Sequence, residues 1–218
     1  MSNYLAKYLY LLCMLSLLSS TGKSLAQGND LLGKQGARYT IPQGKFPKWD
    51  EMLFHWSKTQ GLVDDFCEPG LFSTCFLREL QDLVKNIKSK TPWEQINIVN
   101  DFVNQIRYRE DIEIYGVSDY WAIPHEFFDN ELGDCEDYSL TKYFALKDIG
   151  FKTDDLQIAV VKDVNINIYH AVLTVKYNGQ KYILDNRLAY VMSDKKFSHY
   201  QVIYTINEDF WWFFPLSF

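Results

Sequence analysis

The sequence predicts an α+β fold, with helices gathered ahead of an antiparallel sheet, and three observations carry that prediction. Segments 73–90 and 91–106 repeat apolar residues at helical spacing, and a third helical pattern starts at Cys135 and stops at Gly150. After Gly150 come short β-branched and apolar runs, two of which flank Asn178-Gly179. Helices in one stretch of chain and strands in the next give layers of the two kinds rather than alternating units. A chain of 218 residues suits one domain with a sizeable core.

Residues 1–26 read as a signal peptide: Lys7 lies in a short n-region, Leu9 to Leu18 is apolar, and Ser24-Leu25-Ala26 is a small-residue cleavage pattern. The apolar run is too short to span about 30 Å of hydrocarbon unaided. Cleavage would remove Lys7 and Lys23 and no acidic residue, making the mature chain two units more acidic than the formal −6 of the whole. Such a charge disfavours nucleic acid as a partner. Residues 27–48, rich in Gly, Lys and Gln without a sustained period, are expected to be a flexible leader, and 49–218 the folded domain.

Within that domain Phe76, Leu77, Leu80, Leu83, Val84 and Ile87 form one helical stripe. Thr91-Pro92-Trp93-Glu94 supplies an N-cap, a proline at N1 and a capping-box glutamate for the next helix, which turns Trp93, Ile96, Val99, Phe102, Val103 and Ile106 inward. Both helices read as scaffold. Residues 108–132 form a long connection with Tyr115, Tyr120, Trp121, Pro124, Phe127 and Phe128, either a substrate-side wall with Tyr120-Trp121 near the thiol or a packed cap over the core. Beyond the third helix, 156–162 reads as a buried strand and 201–206 as an edge strand.

The third helix carries the chemistry. Gly133-Asp134-Cys135-Glu136-Asp137-Tyr138 makes Asp134 the N-cap and Cys135 N1, with Gly150 as the C′ residue. A thiol at N1 sits at the positive end of the helix dipole, which favours thiolate. A nucleophilic thiolate needs a histidine to take its proton and a third group to orient that histidine. Ile168 to Tyr177 and Gln180 to Asn186 flank Asn178-Gly179, a type I′ hairpin signal. If Tyr177 faces Gln180, counting outward sets His170 opposite Arg187 and Val172 opposite Asp185. His170 and Asp185 then become diagonal neighbours on one face, roughly 7–8 Å apart along the backbone and within side-chain reach. A slip of one residue would separate them. His55 and His199 lack matched acidic partners and receive no role.

Three carboxylates, Asp134, Glu136 and Asp137, surround the thiol and oppose its charged form. They either cap the helix and complement its dipole or bind a cation, and an all-oxygen set would suit a hard ion such as calcium. No EF-hand pattern is present.

Cysteine on a helix, histidine on a strand and aspartate on the next strand resemble the transglutaminase-like and papain-like cysteine enzymes. Gly-Asp-Cys-Glu-Asp-Tyr at 133–138, Lys142-Tyr143, Leu146 through Gly150, His170-Ala171-Val172-Leu173 and Leu184-Asp185-Asn186 resemble the bacterial transglutaminase-like cysteine proteinases of the LapG type, over roughly residues 45–210. The resemblance implies a papain-like or transglutaminase-like α+β fold with the nucleophile at a helix N-terminus. It implies Cys135, His170 and Asp185 as a catalytic triad, and it favours Ca2+ at Asp134, Glu136 and Asp137. It implies a periplasmic protease that clips the N-terminal region of a large surface adhesin at a di-alanine site, promoting biofilm dispersal. It also implies a partner, the periplasmic domain of a LapD-like inner-membrane cyclic-di-GMP receptor. Substrate and partner come from the resemblance alone.

The triad residues do not separate hydrolysis from transfer, so a transglutaminase, amidase or acyltransferase remains open, as does a non-catalytic periplasmic binding module with the same fold. Cleavage at Ala26 would remove Cys13 and leave Cys67, Cys75 and Cys135. Cys67 and Cys75 flank Glu68-Pro69-Gly70, a turn able to bring them into a local disulfide; the alternative is two reduced residues in an apolar patch.

Overall fold

The computed structural model describes residues 25–59 and 75–215. Most of the expected signal peptide and Cys67 lie outside the described residues. Cys75 is disulfide-bonded, so the expected pairing with Cys67 has its other half outside them too.

The chain opens with a hairpin of β1 (Leu25–Leu31) and β2 (Lys34–Thr40). Here the structure corrects the expectation of a flexible leader, because residues 37–40 of β2 pair with a C-terminal strand, Tyr39 opposite Trp211 and Ala37 opposite Phe213. Sparse apolar content hid the strand; its ladder hydrogen bonds and the Tyr39–Trp211 stack, 5.1 Å between centroids, hold it. The helical layer follows: α1 (Pro47–Thr59), α2 (Phe76–Ile87) and α3 (Pro92–Val103). The capping box that opens α3 is formed as expected, with Glu94 N–H donating to Thr91 Oγ1 at 3.4 Å and Thr91 N–H to Glu94 Oε2 at 3.0 Å. Such a cap stabilises a helix by about 1 kcal/mol.

The connection after α3 is structured. It contains β3 (Arg107–Tyr108), α4 (Asp111–Ile114), α5 (Pro124–Asn130) and β4 (Leu132–Gly133), with β3 and β4 paired in parallel. It leads straight into α6 (Cys135–Ile149), in which every residue from Cys135 to Leu146 is buried. Gly150 ends α6 at φ 119°, a conformation that suits glycine, and its N–H donates to the Lys147 carbonyl at 2.9 Å.

The strands β5 (Leu156–Asp163), β6 (Ile168–Tyr177), β7 (Gln180–Leu184), β8 (Met192–Ser193), β9 (Tyr200–Ile206) and β10 (Phe210–Phe213) complete the chain. With β1 and β2 they form an eight-stranded sheet in the order β1-β2-β10-β9-β5-β6-β7-β8, antiparallel throughout. The fold is α+β, as expected. β9 is not the expected edge strand: it lies between β10 and β5. The β6–β7 register is the expected one, Tyr177 opposite Gln180, with Asn178 and Gly179 both at positive φ, as a type I′ turn requires.

The sheet curls, because the hairpin at one end of the strand order meets the segment after β8 at the other: Leu32 N–H donates to Asp194 Oδ2 at 3.1 Å. Alternation then builds two cores. Ile158, Leu173, Leu184 and Ile206 pack with Trp49, Ile96, Phe127, Leu140 and Leu146 of the helices. Ala159, Val161, Val172, Ile183 and Trp212 pack inside the curl against Leu31, Phe197 and Phe214.

Gly133 tests how tightly the start of α6 is held. A Cβ there would sit 2.4 Å from the Phe127 ring and 2.8 Å from Asp137 Oδ2. Gly133→Ala is therefore expected to cost about 1–3 kcal/mol of folding stability, read as a lower urea midpoint with an unchanged slope.

Candidate active site

Cys135 occupies N1 of α6, where the sequence put it. Asp134 is extended, at φ −109° and ψ −168°, and Asp137 at N3 accepts its N–H at 3.1 Å. The other oxygen of Asp137 accepts Ala122 N–H at 2.9 Å, so one buried carboxylate ties the helix start to the preceding connection. Arg109 N–H donates to the Gly133 carbonyl at 2.9 Å and extends the β3–β4 pairing. Cys135 is 9 % exposed, and its thiol donates to Glu136 Oε2 at 3.0 Å.

His170 and Asp185 meet as the hairpin register required. His170 Nε2 lies 2.8 Å from Asp185 Oδ1, with both side chains buried. The β6–β7 ladder ends at Leu173–Leu184, so Asp185 is the first residue past the strand. There it forms an Asx turn in which Arg187 N–H donates to Oδ1 at 2.9 Å. Tyr200 completes the carboxylate, its hydroxyl donating to Oδ2 at 2.6 Å. Burial opposes the charge on Asp185. The His170 hydrogen bond, the attraction of that ring, Tyr200 and Arg187 N–H outweigh it and hold the carboxyl down at about 2.

An ionised Asp185 accepts a hydrogen bond from Nε2–H, which fixes the tautomer with that nitrogen as donor. His170 Nδ1 is buried and makes no hydrogen bond within the described protein. His170 and Cys135 line the same cavity, about 120 Å³, with Trp121, Val160, Tyr169 and Tyr204 among its walls and Asp119 and Glu136 at one side. Trp121 thus lines the cavity of the thiol and also packs against the core, so it combines the two alternatives for the connection. Tyr120 does not line that cavity; its hydroxyl donates to Glu126 Oε1 at 2.9 Å. His125 packs edge-on against Trp56.

The acidic trio is part of a larger set. Oxygens of Asp111, Asp134 and Asp137 lie within 4.8 Å of one another, as do those of Asp111, Asp119 and Glu136. Asp134, Glu136 and the Cys135 sulfur form a third such group. Asp111 joins the first two, and sequence reasoning missed both it and Asp119. The available signal was the presence of acids inside a long connection just ahead of Cys135. Crowding has the expected electrical effect: burial first, then Glu136 and Asp111, push the Asp137 carboxyl well above the ordinary range. Asp119 is pushed up to about 6 by burial and Glu136, against the opposing pull of Lys48, whose Nζ lies 2.7 Å from Oδ2. Buried carboxylates packed this closely suit a hard cation with oxygen ligands, so the residues present fit calcium.

Residues 59–212 match the family described as bacterial transglutaminase-like cysteine proteinase. The chain belongs to that family. It is a cysteine peptidase. Among solved structures it is similar to Legionella pneumophila LapG, at 30 % identity and a TM-score of 0.58, covering 63 % of this chain and 77 % of that one. The calcium-bound form of the same protein aligns over 74 % of this chain and 87 % of its own, at 27 % identity and a TM-score of 0.59. An EGTA-treated form gives 30 % identity and a TM-score of 0.59, covering 65 % and 77 %. No curated protein sequence matches this one. Among the described residues no helix is long and apolar enough to cross a membrane.

The depressed carboxyl of Asp185 has a consequence for acid stability. Its folded value lies below the ordinary 3.8, so its contribution is present above pH 3.8 and is lost as pH falls through about 2. The wild-type protein should lose about 2 kcal/mol across that window from this group, and Asp185→Asn should lack that component of the acid limb. Urea melts at stepped pH measure it.

Proposed function

We propose that this proteinase is a calcium-dependent periplasmic endopeptidase that cleaves the N-terminal region of a large surface adhesin, using Cys135, His170 and Asp185 as its triad. The observation that carries the triad is the His170–Asp185 hydrogen bond: Asp185 engages Nε2 of His170, a residue that lines one cavity with Cys135, and so leaves Nδ1 as the basic nitrogen. His170 takes the thiol proton at Nδ1 as Cys135 Sγ bonds to the scissile carbonyl carbon. The same proton passes from the imidazolium to the departing amine as the C–N bond breaks and a thioester remains. His170 then deprotonates water, which displaces Cys135 and frees the new carboxylate.

Asp111, Asp119, Asp134, Glu136 and Asp137 would hold the calcium ion. When bound it supplies the positive charge that offsets these carboxylates beside the thiol. The calcium-bound and EGTA-treated forms of Legionella pneumophila LapG support a calcium-linked reading for the family. The adhesin, its di-alanine site, biofilm dispersal, the cleaved signal peptide and the LapD-like cyclic-di-GMP receptor as inner-membrane partner rest on the family resemblance.

Mass spectrometry of an adhesin N-terminal fragment incubated with the mature protein is expected to give two products. Cys135→Ala and His170→Ala should each lower that turnover by at least about 10³-fold with folding retained. An amine adduct in place of hydrolysis would reassign the chain to acyl transfer, and near-normal turnover by Cys135→Ala would overturn the mechanism.

Calcium should raise the melting temperature, by the equivalent of ~2.7 kcal/mol when free calcium is 100 times its dissociation constant. Equal magnesium should give a smaller shift, since its tight octahedral shell suits such a site poorly. Asp111→Asn with Asp119→Asn should abolish the calcium shift. An unchanged shift would remove both residues from the site.

A further inference from the structure

The donors to Asp185 are shared unevenly between its two oxygens. Oδ1 accepts both His170 Nε2–H and Arg187 N–H, at 2.8 and 2.9 Å. Oδ2 accepts the Tyr200 hydroxyl at 2.6 Å, its one donor among the described residues. The torsion that turns a carboxylate about its Cβ–Cγ bond is broad, so the side chain does little by itself to hold one plane. A quarter-turn would take Oδ1 out of line with the imidazole. His170 and Arg187 both grip the same oxygen, which leaves the second to be held from outside the β6–β7 hairpin.

Tyr200 opens β9, three strands from β7 in the sheet order. Val161 of β5 lies opposite His170 on one side and opposite Val202 on the other. Tyr200 stands two residues before Val202, so it shares that strand face and joins the core inside the curl with Val161, Val172 and Val202. Its ring centroid lies 5.2 Å from that of Phe197 and 4.4 Å from that of His199, and it meets the His170 ring edge-on at 6.0 Å. A phenylalanine would make every one of these ring contacts. The hydroxyl alone distinguishes tyrosine here, and a buried hydroxyl lowers stability unless it is bonded. Its bond goes to an ionised acceptor, the stronger kind.

We propose that Tyr200 is a positioning residue of the proteolytic site, its hydroxyl holding the Asp185 carboxylate in the plane that keeps Oδ1 on His170 Nε2. This rests on the triad reading above. Tyr200 does not line the cavity of Cys135, so its effect passes through Asp185 to the imidazole.

Tyr200→Phe keeps the ring and removes the hydroxyl. It is expected to lower kcat about tenfold with KM unchanged, the size of one lost hydrogen bond to a charged group. It should also shift upfield or abolish the low-field NMR proton of the His170–Asp185 hydrogen bond. Added to Asp185→Asn, the same substitution should lower the residual turnover no further, because the two side chains act as one unit. Phe197→Leu disturbs the packing of the Tyr200 ring and leaves the hydroxyl, so it should lower the melting temperature with kcat and the low-field proton unchanged. Unchanged kcat and an unchanged proton in Tyr200→Phe would overturn the proposal, as would a Tyr200→Phe that fails to fold. An equal loss of kcat in Phe197→Leu would also overturn it, because packing would then be the cause. Asp185→Asn separates the two levels of inference. Full turnover by Asp185→Asn sinks the triad itself, whereas an impaired Asp185→Asn beside a normal Tyr200→Phe sinks only the role of the tyrosine.

Discussion

The buried start of α6 is the constraint on which the rest of the site depends. A helix N-terminus leaves backbone N–H groups without intrahelical acceptors, and here that end lies inside the protein, where water does not reach them. Asp137 answers part of this demand by accepting the Asp134 N–H, and it accepts Ala122 N–H with its other oxygen. One carboxylate therefore shapes the cap that presents Cys135 and fixes the chain that carries Trp121 to the cavity. The solution concentrates negative charge beside a thiol, and Asp111, Asp119, Asp134 and Glu136 compound it. The same crowding gives a cation a reason to bind.

The other half of the site comes from the sheet, and its precision comes from a turn. The Asn178-Gly179 hairpin sets the β6–β7 register, and the register delivers Asp185 to His170. Past the ladder the carboxylate would be free to rotate, but Arg187 N–H and the Tyr200 hydroxyl fix both oxygens. Three donors to a buried carboxylate outweigh the cost of its desolvation, which keeps it ionised and selects the imidazole tautomer. Cys135 and His170 thus ride on different layers, and their meeting depends on how α6 packs across β6.

That packing explains why the interior of α6 is so polar. Glu136, Asp137, Ser139, Thr141 and Lys142 are all buried alongside Leu140, Tyr143 and Leu146. A helix selected for stability alone would carry apolar residues at such positions. Burial of carboxyls beside one thiol, with Asp137 and Asp119 pushed up, is the arrangement expected where protons and charge must be managed.

Local chemistry was legible in the sequence wherever a few neighbouring residues suffice to determine it. The Thr91 capping box, Cys135 at N1 after Asp134, the Gly150 stop and the Asn178-Gly179 turn all read correctly, because caps and tight turns are decided by backbone sterics and hydrogen bonds within a few positions. The turn even carried the His170–Asp185 contact, since the period of a strand propagates register over several residues. Other features were not legible. β2 joins the sheet only because β10 lies there to pair with it, and β9 is not an edge only because β10 pairs along its outer side. Asp111 and Asp119 reach the acidic set, and Tyr200 reaches Asp185, across turns and strands whose spacing along the chain fixes no distance. The sequence by itself determined the helix start that carries Cys135 and the hairpin register that brings His170 to Asp185. Tertiary structure decided which further groups surround them, because burial and long-range contact are properties of the packed chain and have no local signature.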